Sequence, residues 1–169
     1  TVERHSVPLA EATTSSIEAL KAYSTGMKLA LSSSGGTEAA LPFFRRAVEI
    51  DPNFGIAHAA LGTHLSASGE SVLAAESART AWLLRARVSD RERFYIDFTY
   101  DRHGTGNLEK AYQTLELWAQ TYPRRGGGNA DPRGLLAGIS SQGTGRFQTA
   151  IEIAQERIAG EPNQASAYG

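Results

Sequence analysis

Three stretches of the chain carry the same pattern of apolar and polar positions. LPFFRRAVEIDPN at 41–53, LEKAYQTLELWAQTYP at 108–123 and FQTAIEIAQERIAGEPN at 147–163 are amphipathic and end in a proline. Each has a small residue twelve positions before that proline: Ala40 before Pro52, Ala111 before Pro123 and Ala150 before Pro162. The stretch IAHAALGTHLSASGESVLAAESARTAWLL lies between the first two and supplies Ala74, so the four alanines follow one another at intervals of 34, 37 and 39 residues. A repeat of this length is one helix hairpin. The pattern predicts helices near 16–33, 38–50, 54–68, 71–87, 90–103, 108–121, 132–143 and 147–160, and no strand.

Small residues and breakers give the hairpin its physical logic. Gly62 and Ala74 fall where two helices of one hairpin approach, so a larger side chain at either would push them apart. Gly69, seven residues after Gly62, suits the turn between the helices. Pro52, Pro123 and Pro162 end the second helix of their hairpins. Ser15-Ser16-Ile17-Glu18 and Ser89-Asp90-Arg91-Glu92 both read as capping boxes, and Asp131-Pro132 as an N-cap followed by proline in the first turn.

On these residues the chain resembles the tetratricopeptide repeat family. Leu61, Gly62, Ala74, Ala78 and Ala81 match its pattern best. The first unit matches with Gly26, Ala40, Phe44, Ala47 and Pro52, with two extra residues in its SSSGG turn. The third keeps Tyr95, Ala111 and Pro123, but has Thr99 where glycine is usual and Trp118 where alanine is usual. The fourth keeps Gly138, Ala150, Ala154 and Pro162. The resemblance implies an all-α fold, an α-solenoid of about four hairpins wound as a right-handed superhelix. Its units fall at about 17–52, 53–88, 89–123 and 131–162, within an array spanning 15–162. Residues 1–14 then form a leader, and 163–169 read as the opening of a fifth unit. The phrases PLAEATTSSIEALKAYSTG, RRAVEIDPNFGIAHAALG, RVSDRERFYI and LELWAQTYPR also resemble the repeat region that follows the kinase domain in many bacterial serine/threonine protein kinases. No glycine loop, HRD or DFG motif occurs, so that likeness implies a regulatory or sensor fragment and not a kinase.

Composition narrows the function. A net charge of −1 supplies no field for nucleic acid or an anionic membrane, and no apolar run reaches the ~20 residues of a membrane span. The absence of cysteine excludes disulfides and thiolate zinc sites. The location is left open: cytoplasmic, or the extracytoplasmic part of a membrane-anchored kinase.

Candidate chemistry is sparse. In YPRRGGGNADPRGLLAG at 122–138 a helix precedes the glycines and no lysine occurs, which argues against a phosphate loop. Arg124, Arg125 and the amides of Gly126 to Gly128 could hold an anion near the next helix; the favoured reading is slack between the third and fourth units. His58 and His64 are six apart, roughly 120° around a helix, and cannot share a metal. Asp90, Glu92, Asp97 and Asp101 alternate with Arg91, Arg93 and Arg102, as on a solvated helix face with paired charges. No catalytic residue, metal or cofactor is expected.

The resemblance also implies where a ligand binds. The family lines its concave side from the first helix of each hairpin. Carried across, that side draws on Leu20, Tyr23 and Met27; Ile56, Ala59, Thr63 and Ser66; Arg93, Ile96, Tyr100 and His103; and Leu135, Ile139 and Gln142. The alternative for each residue is packing against a neighbouring helix. The Lys and Asn that family members use to clamp chaperone tails are missing at the matching positions, which hold Tyr23, Ala59, Ile96 and Leu135, then Met27, Thr63, Tyr100 and Ile139. The expectation is a non-catalytic protein- or peptide-binding module in which Arg93, Tyr100 and His103 orient the partner. The alternatives are a self-associating spacer, with pairing through the C-terminal helix, and a small-molecule sensor using the same groove.

Overall fold

The computed structural model describes residues 14–31, 35–122 and 131–142, together with 145, 146, 148, 149, 151, 152 and 155. Among these residues the protein is all-helical, with no strand. The helices are α1 (Ile17–Ala30), α2 (Gly36–Ile50), α3 (Gly55–Ala67), α4 (Ser71–Leu84), α5 (Asp90–Thr99), α6 (Leu108–Thr121) and α7 (Pro132–Gln142). A 3₁₀ turn, Arg85–Arg87, follows α4, and a π-helical turn, Tyr100–Thr105, continues α5. The expected helix near 147–160 lies largely outside the described residues, as do the Gly126–Gly128 stretch and most of the C-terminal apolar face.

Consecutive helices pack as antiparallel neighbours would: α1 on α2, α3 on α4, α5 on α6, with α2–α3 and α6–α7 joining the pairs. In addition α3 packs on α5, and α4 packs on the π turn. The small residues sit where the pattern expects them. Ala40, Ala74 and Ala111 are all buried, each on the second helix of its pair. A Cβ on Gly62 would lie 3.0 Å from the Ala74 carbonyl oxygen and 3.3 Å from the Ala78 nitrogen, so α3 and α4 meet backbone to backbone. In the first pair Gly26 makes room for a side chain instead: an added Cβ would lie 2.8 Å from the Phe44 ring.

The core is three clusters. The first joins α1, α2, α3 and α4 around Tyr23, Phe44, Phe54 and Leu65. The second, around Phe98, Tyr112, Leu115, Trp118 and Ile139, joins α5, α6 and α7. Between them, Ala59, Ala81, Val88 and Ile96 knit α3, α4 and α5 together. Thr99 fills its glycine-like position fully buried, its hydroxyl donating to the Tyr95 carbonyl at 2.8 Å. Trp118 stacks on Phe94 with centroids 6.1 Å apart. The third pair therefore closes despite both departures from the repeat pattern.

Caps and turns fix the connections. Ser89 forms the full capping box with Glu92. The other expected box is shifted: Ser16, not Ser15, caps α1, so Ala19 receives the cap and Glu18 falls one residue short of the reciprocal position. Thr14 instead accepts from the Ser16 amide and donates to Asp51, tying the start of α1 to the end of α2. Asp51 in turn accepts from the Asn53 amide and shapes the turn into α3. Asp131 accepts from the Arg133 amide ahead of α7, as Asp131-Pro132 implies. Gly69 occupies the left-handed region at φ 84°, closing the α3–α4 turn.

Two ends differ from the expected helices. The stretch near 71–87 is α-helical only to Leu84 before tightening into the 3₁₀ turn. The helix expected at 90–103 runs on to Thr105 by widening, and Gly104 permits this, since a Cβ there would lie 2.6 Å from the Tyr100 ring.

Candidate binding face

The first helices of the pairs, α1, α3, α5 and α7, carry the residues expected to meet a ligand, and the structure divides them sharply. Tyr23 is buried, with ring centroids 5.2 Å from Phe54 and 5.9 Å from Phe44. Ile56 and Ala59 are buried between α3 and its neighbours. Ile96 and Ile139, at 0% and 1% exposed, have no surface to offer a partner. Tyr23, Ile56, Ala59, Ile96 and Ile139 are thus core residues and do not line a groove. Their apolar character comes from helix–helix packing, the competing reading of the same pattern. Leu20, Met27 and Leu135 are half-buried and lean on the cores.

The residues of this set with accessible surface are mostly polar. Ser66 and Thr63 are half-buried on α3, and the Thr63 hydroxyl pairs with the Tyr95 phenol at 3.0 Å. Burial pushes that phenol's pKa up, so it stays a neutral hydroxyl. Arg93 is exposed and pairs with Asp90 at 3.8 Å. His103 is half-buried, and burial, then the neighbouring Arg102 charge, push its pKa down to about 4. It is a neutral ring at pH 7, able to accept or donate a hydrogen bond but not to supply positive charge. Arg93, the most exposed of the set, and the half-buried Met27, Thr63, Ser66 and His103 therefore make up much of the accessible part of the expected face.

Tyr100 does something else. Its ring stacks on Trp82 of α4, centroids 4.9 Å apart and planes 25° apart, while the Arg85 guanidinium covers the Trp82 ring at 3.6 Å. Arg85 also donates to the Trp82 carbonyl at 2.9 Å and faces Asp97 at 3.8 Å. This stack bolts α4 to the π turn that continues α5, so the half-buried Tyr100 packs between helices.

The alternating charges of α5 are likewise not one solvated face. Asp101 is buried, with its side chain 3% exposed, and pairs with Lys110 of α6 at 3.2 Å. Asp97 lies one turn earlier. Burial raises its carboxyl pKa above the usual range, Arg85 offsets part of the rise, and the Asp101 charge adds to it. Periodicity offered one signal for this cluster: Asp97 and Asp101 are four apart and so share a helix side. Nothing in the sequence says that the side faces α4 and α6.

The histidines on α3 are structural. His58 Nε2 lies 3.0 Å from the Pro52 carbonyl oxygen and His64 Nδ1 2.8 Å from that of Ala60, and burial lowers both pKa values. Among the described residues no group of three or more His, Asp or Glu could hold a metal ion. No described helix is long and apolar enough to cross a membrane.

Large exposed apolar side chains occur on both kinds of helix: Phe43, Val72, Leu73, Leu83 and Leu117 are on α2, α4 and α6, the second helices of the pairs, while Ile17 and Leu31 stand at the two ends of α1. Comparison with protein-family models finds none that matches the chain, and comparison with curated proteins finds no match.

Proposed function

We propose that this protein is a non-catalytic binding module of tetratricopeptide type, a short solenoid of helix hairpins that holds a protein or peptide partner against its first helices. The observation that carries the reading is the recurring crossing: Gly26 on Phe44 and Gly62 on Ala74 and Ala78, with buried Ala40, Ala74 and Ala111 spaced 34 and 37 residues apart. Hairpins built alike and packed on their neighbours present like-numbered helices side by side, and the surface that results is extended rather than a pocket. Most of its accessible side chains suit a partner backbone: the hydroxyls of Thr63 and Ser66 and the neutral His103 imidazole give and take hydrogen bonds beside Met27, and the one cation, Arg93, already faces Asp90. The resemblance to kinase-linked repeats makes regulation of a bacterial signalling kinase the setting we favour.

The test is a comparison of single variants in capture of a partner from the protein's own cells. Ser66→Arg, on the first-helix face, should weaken capture at least tenfold, whereas Glu49→Arg on α2 should leave it within about twofold. Equal capture by both variants overturns the reading.

A second reading has its own support. The exposed Phe43, Val72, Leu73, Leu83 and Leu117 on the second helices favour self-association through the outer side, as in a spacer. Sedimentation of Leu83→Asp against the native chain decides it. A dimer lost in the variant favours the spacer, and a monomer in both removes it.

A further inference from the structure

We infer that the outer face of α4 is a dimer contact, on which a second copy of this chain lays its own α4 antiparallel. Val72, Glu76, Arg79 and Leu83 follow one another at intervals of four, three and four residues, the spacing of a helix–helix seam. All four lie within α4 and all are exposed, Val72 and Leu83 at 73% each. With 3.6 residues to a turn they fall within about 60° of one another around the helix. Ala74, Ala78 and Ala81 are buried on the opposite side, where α4 meets its neighbours. The stripe is thus turned away from the packing within one molecule. Arg79 donates to the Gly104 carbonyl at 3.4 Å, which leaves most of its donors unused, and the Glu76 carboxylate has no partner among the described residues.

Two copies of this stripe complement each other in one orientation. A two-fold axis crossing α4 between Ser77 and Ala78 brings Val72 of each copy onto Leu83 of the other, and Glu76 of each onto Arg79 of the other. Apolar side chains then meet at both ends of the contact, and two ion pairs form between them. A parallel pair would set Glu76 on Glu76 and Arg79 on Arg79, and like charges in contact oppose association. The apolar ends supply attraction, and the charges fix direction and register.

The occupant this face fits is a helix carrying the same four residues in reverse order, and the chain's own α4 is such a helix. Charged residues within a seam specify its orientation at some expense of stability, so the dimer is weak and reversible. It uses no residue of the first-helix face. The inference rests on the self-association reading and adds the helix, its direction and its residues; capture of a partner along the first helices can fail without affecting it.

The experiment is sedimentation of the native chain and its charge variants over a range of concentrations. The native chain should pass from monomer to dimer as concentration rises. Glu76→Arg and Arg79→Glu should each weaken association at least about tenfold, since each sets like charges together twice. An equimolar mixture of these two variants should regain it to within about threefold, because one stripe is then wholly cationic and the other wholly anionic. Glu76→Arg/Arg79→Glu in one chain should do the same. Glu49→Arg, exposed on α2, should change association less than about twofold. The chain has no cysteine, so introduced thiols supply a second measurement. Val72→Cys mixed with Leu83→Cys should form a disulfide under mild oxidation. Either variant alone should not, because equivalent residues of the two copies lie roughly 16 Å apart along the helices, beyond a disulfide's reach. Should a charge reversal disturb the fold, the cysteine pair decides alone. A monomer at every concentration removes self-association and this pairing together. A dimer indifferent to the charge variants, or one in which Val72→Cys chains bridge to each other, keeps self-association and overturns the antiparallel pairing. Ser66→Arg should leave the dimer unchanged, which separates it from the first-helix face.

Discussion

Replacing Gly62 by leucine should open the α3–α4 hairpin. Two effects compete. Leaving glycine out of a helix interior gains ~0.8 kcal/mol of helix propensity. Against this, even the first added carbon would sit 3.0 Å from the Ala74 carbonyl oxygen, 3.3 Å from the Ala78 nitrogen and 3.5 Å from the Ser77 Cβ. Two of those atoms are backbone of α4 and cannot rotate away, so the helix itself must retreat, and Ala74 and Ala78 lose their close packing. Overpacking of this kind costs about 1–3 kcal/mol when neighbours are side chains, and the upper part of that range applies to a backbone contact. After the propensity gain the net loss is about 2 kcal/mol, or roughly 4–8 °C in melting temperature for a chain of this size. Ser66, one turn on, is half-buried, and Ser66→Leu should stay within about 0.5 kcal/mol of the native chain. Gly62→Ala should lie between the two. Thermal unfolding followed by circular dichroism measures all three; equal melting temperatures for Gly62→Leu and Ser66→Leu would refute the crossing.

Other expectations are smaller in scope. Ser89→Ala removes the α5 capping box and should cost ~1 kcal/mol by urea denaturation; no loss would mean that the 3₁₀ turn fixes the helix start alone. The Trp82–Tyr100 stack should give a coupling of about 0.5–1.5 kcal/mol in a double-mutant cycle with leucine at each position; strictly additive losses would reduce it to area burial. The folded state holds His103 near pKa 4, below the unfolded value of about 6.5, so the unfolded chain binds the extra proton first. Stability should therefore fall as pH drops from about 6.5 to 4, and His103→Gln should reduce that fall; an unchanged pH profile contradicts the burial of a neutral ring. Burial raises the Asp97 pKa, so its ionised form opposes folding at pH 7, and Asp97→Asn should match or exceed native stability there but lose that advantage towards pH 4.

The helix pattern was legible because it rests on local chemistry. Gly62, Gly69, Pro52 and Ser89 each act within one turn or one crossing, and a single sequence records them. The face that each helix turns to its neighbours was legible only in part. Ile96 and Ile139 sit at positions where the family lines its groove, yet an isoleucine there serves packing equally well, and burial is decided by neighbours distant in sequence. The Trp82–Tyr100–Arg85 stack was missed for the same reason: its members lie on two helices, and nothing local marks their meeting. The π turn was hidden too, since Gly104 reads as an ordinary helix end until the Tyr100 ring is seen against it.

The central claim is that a partner lies along the first helices, and site-specific photo-crosslinking tests it most directly. A benzophenone amino acid is placed in turn at Met27, Ser66 and His103, and in parallel at Val72 and Leu117 on the second helices. Irradiation of the protein with its partner should give crosslinks from Met27, Ser66 and His103. Crosslinks from Val72 and Leu117 alone would contradict the account and place the partner on the outer side.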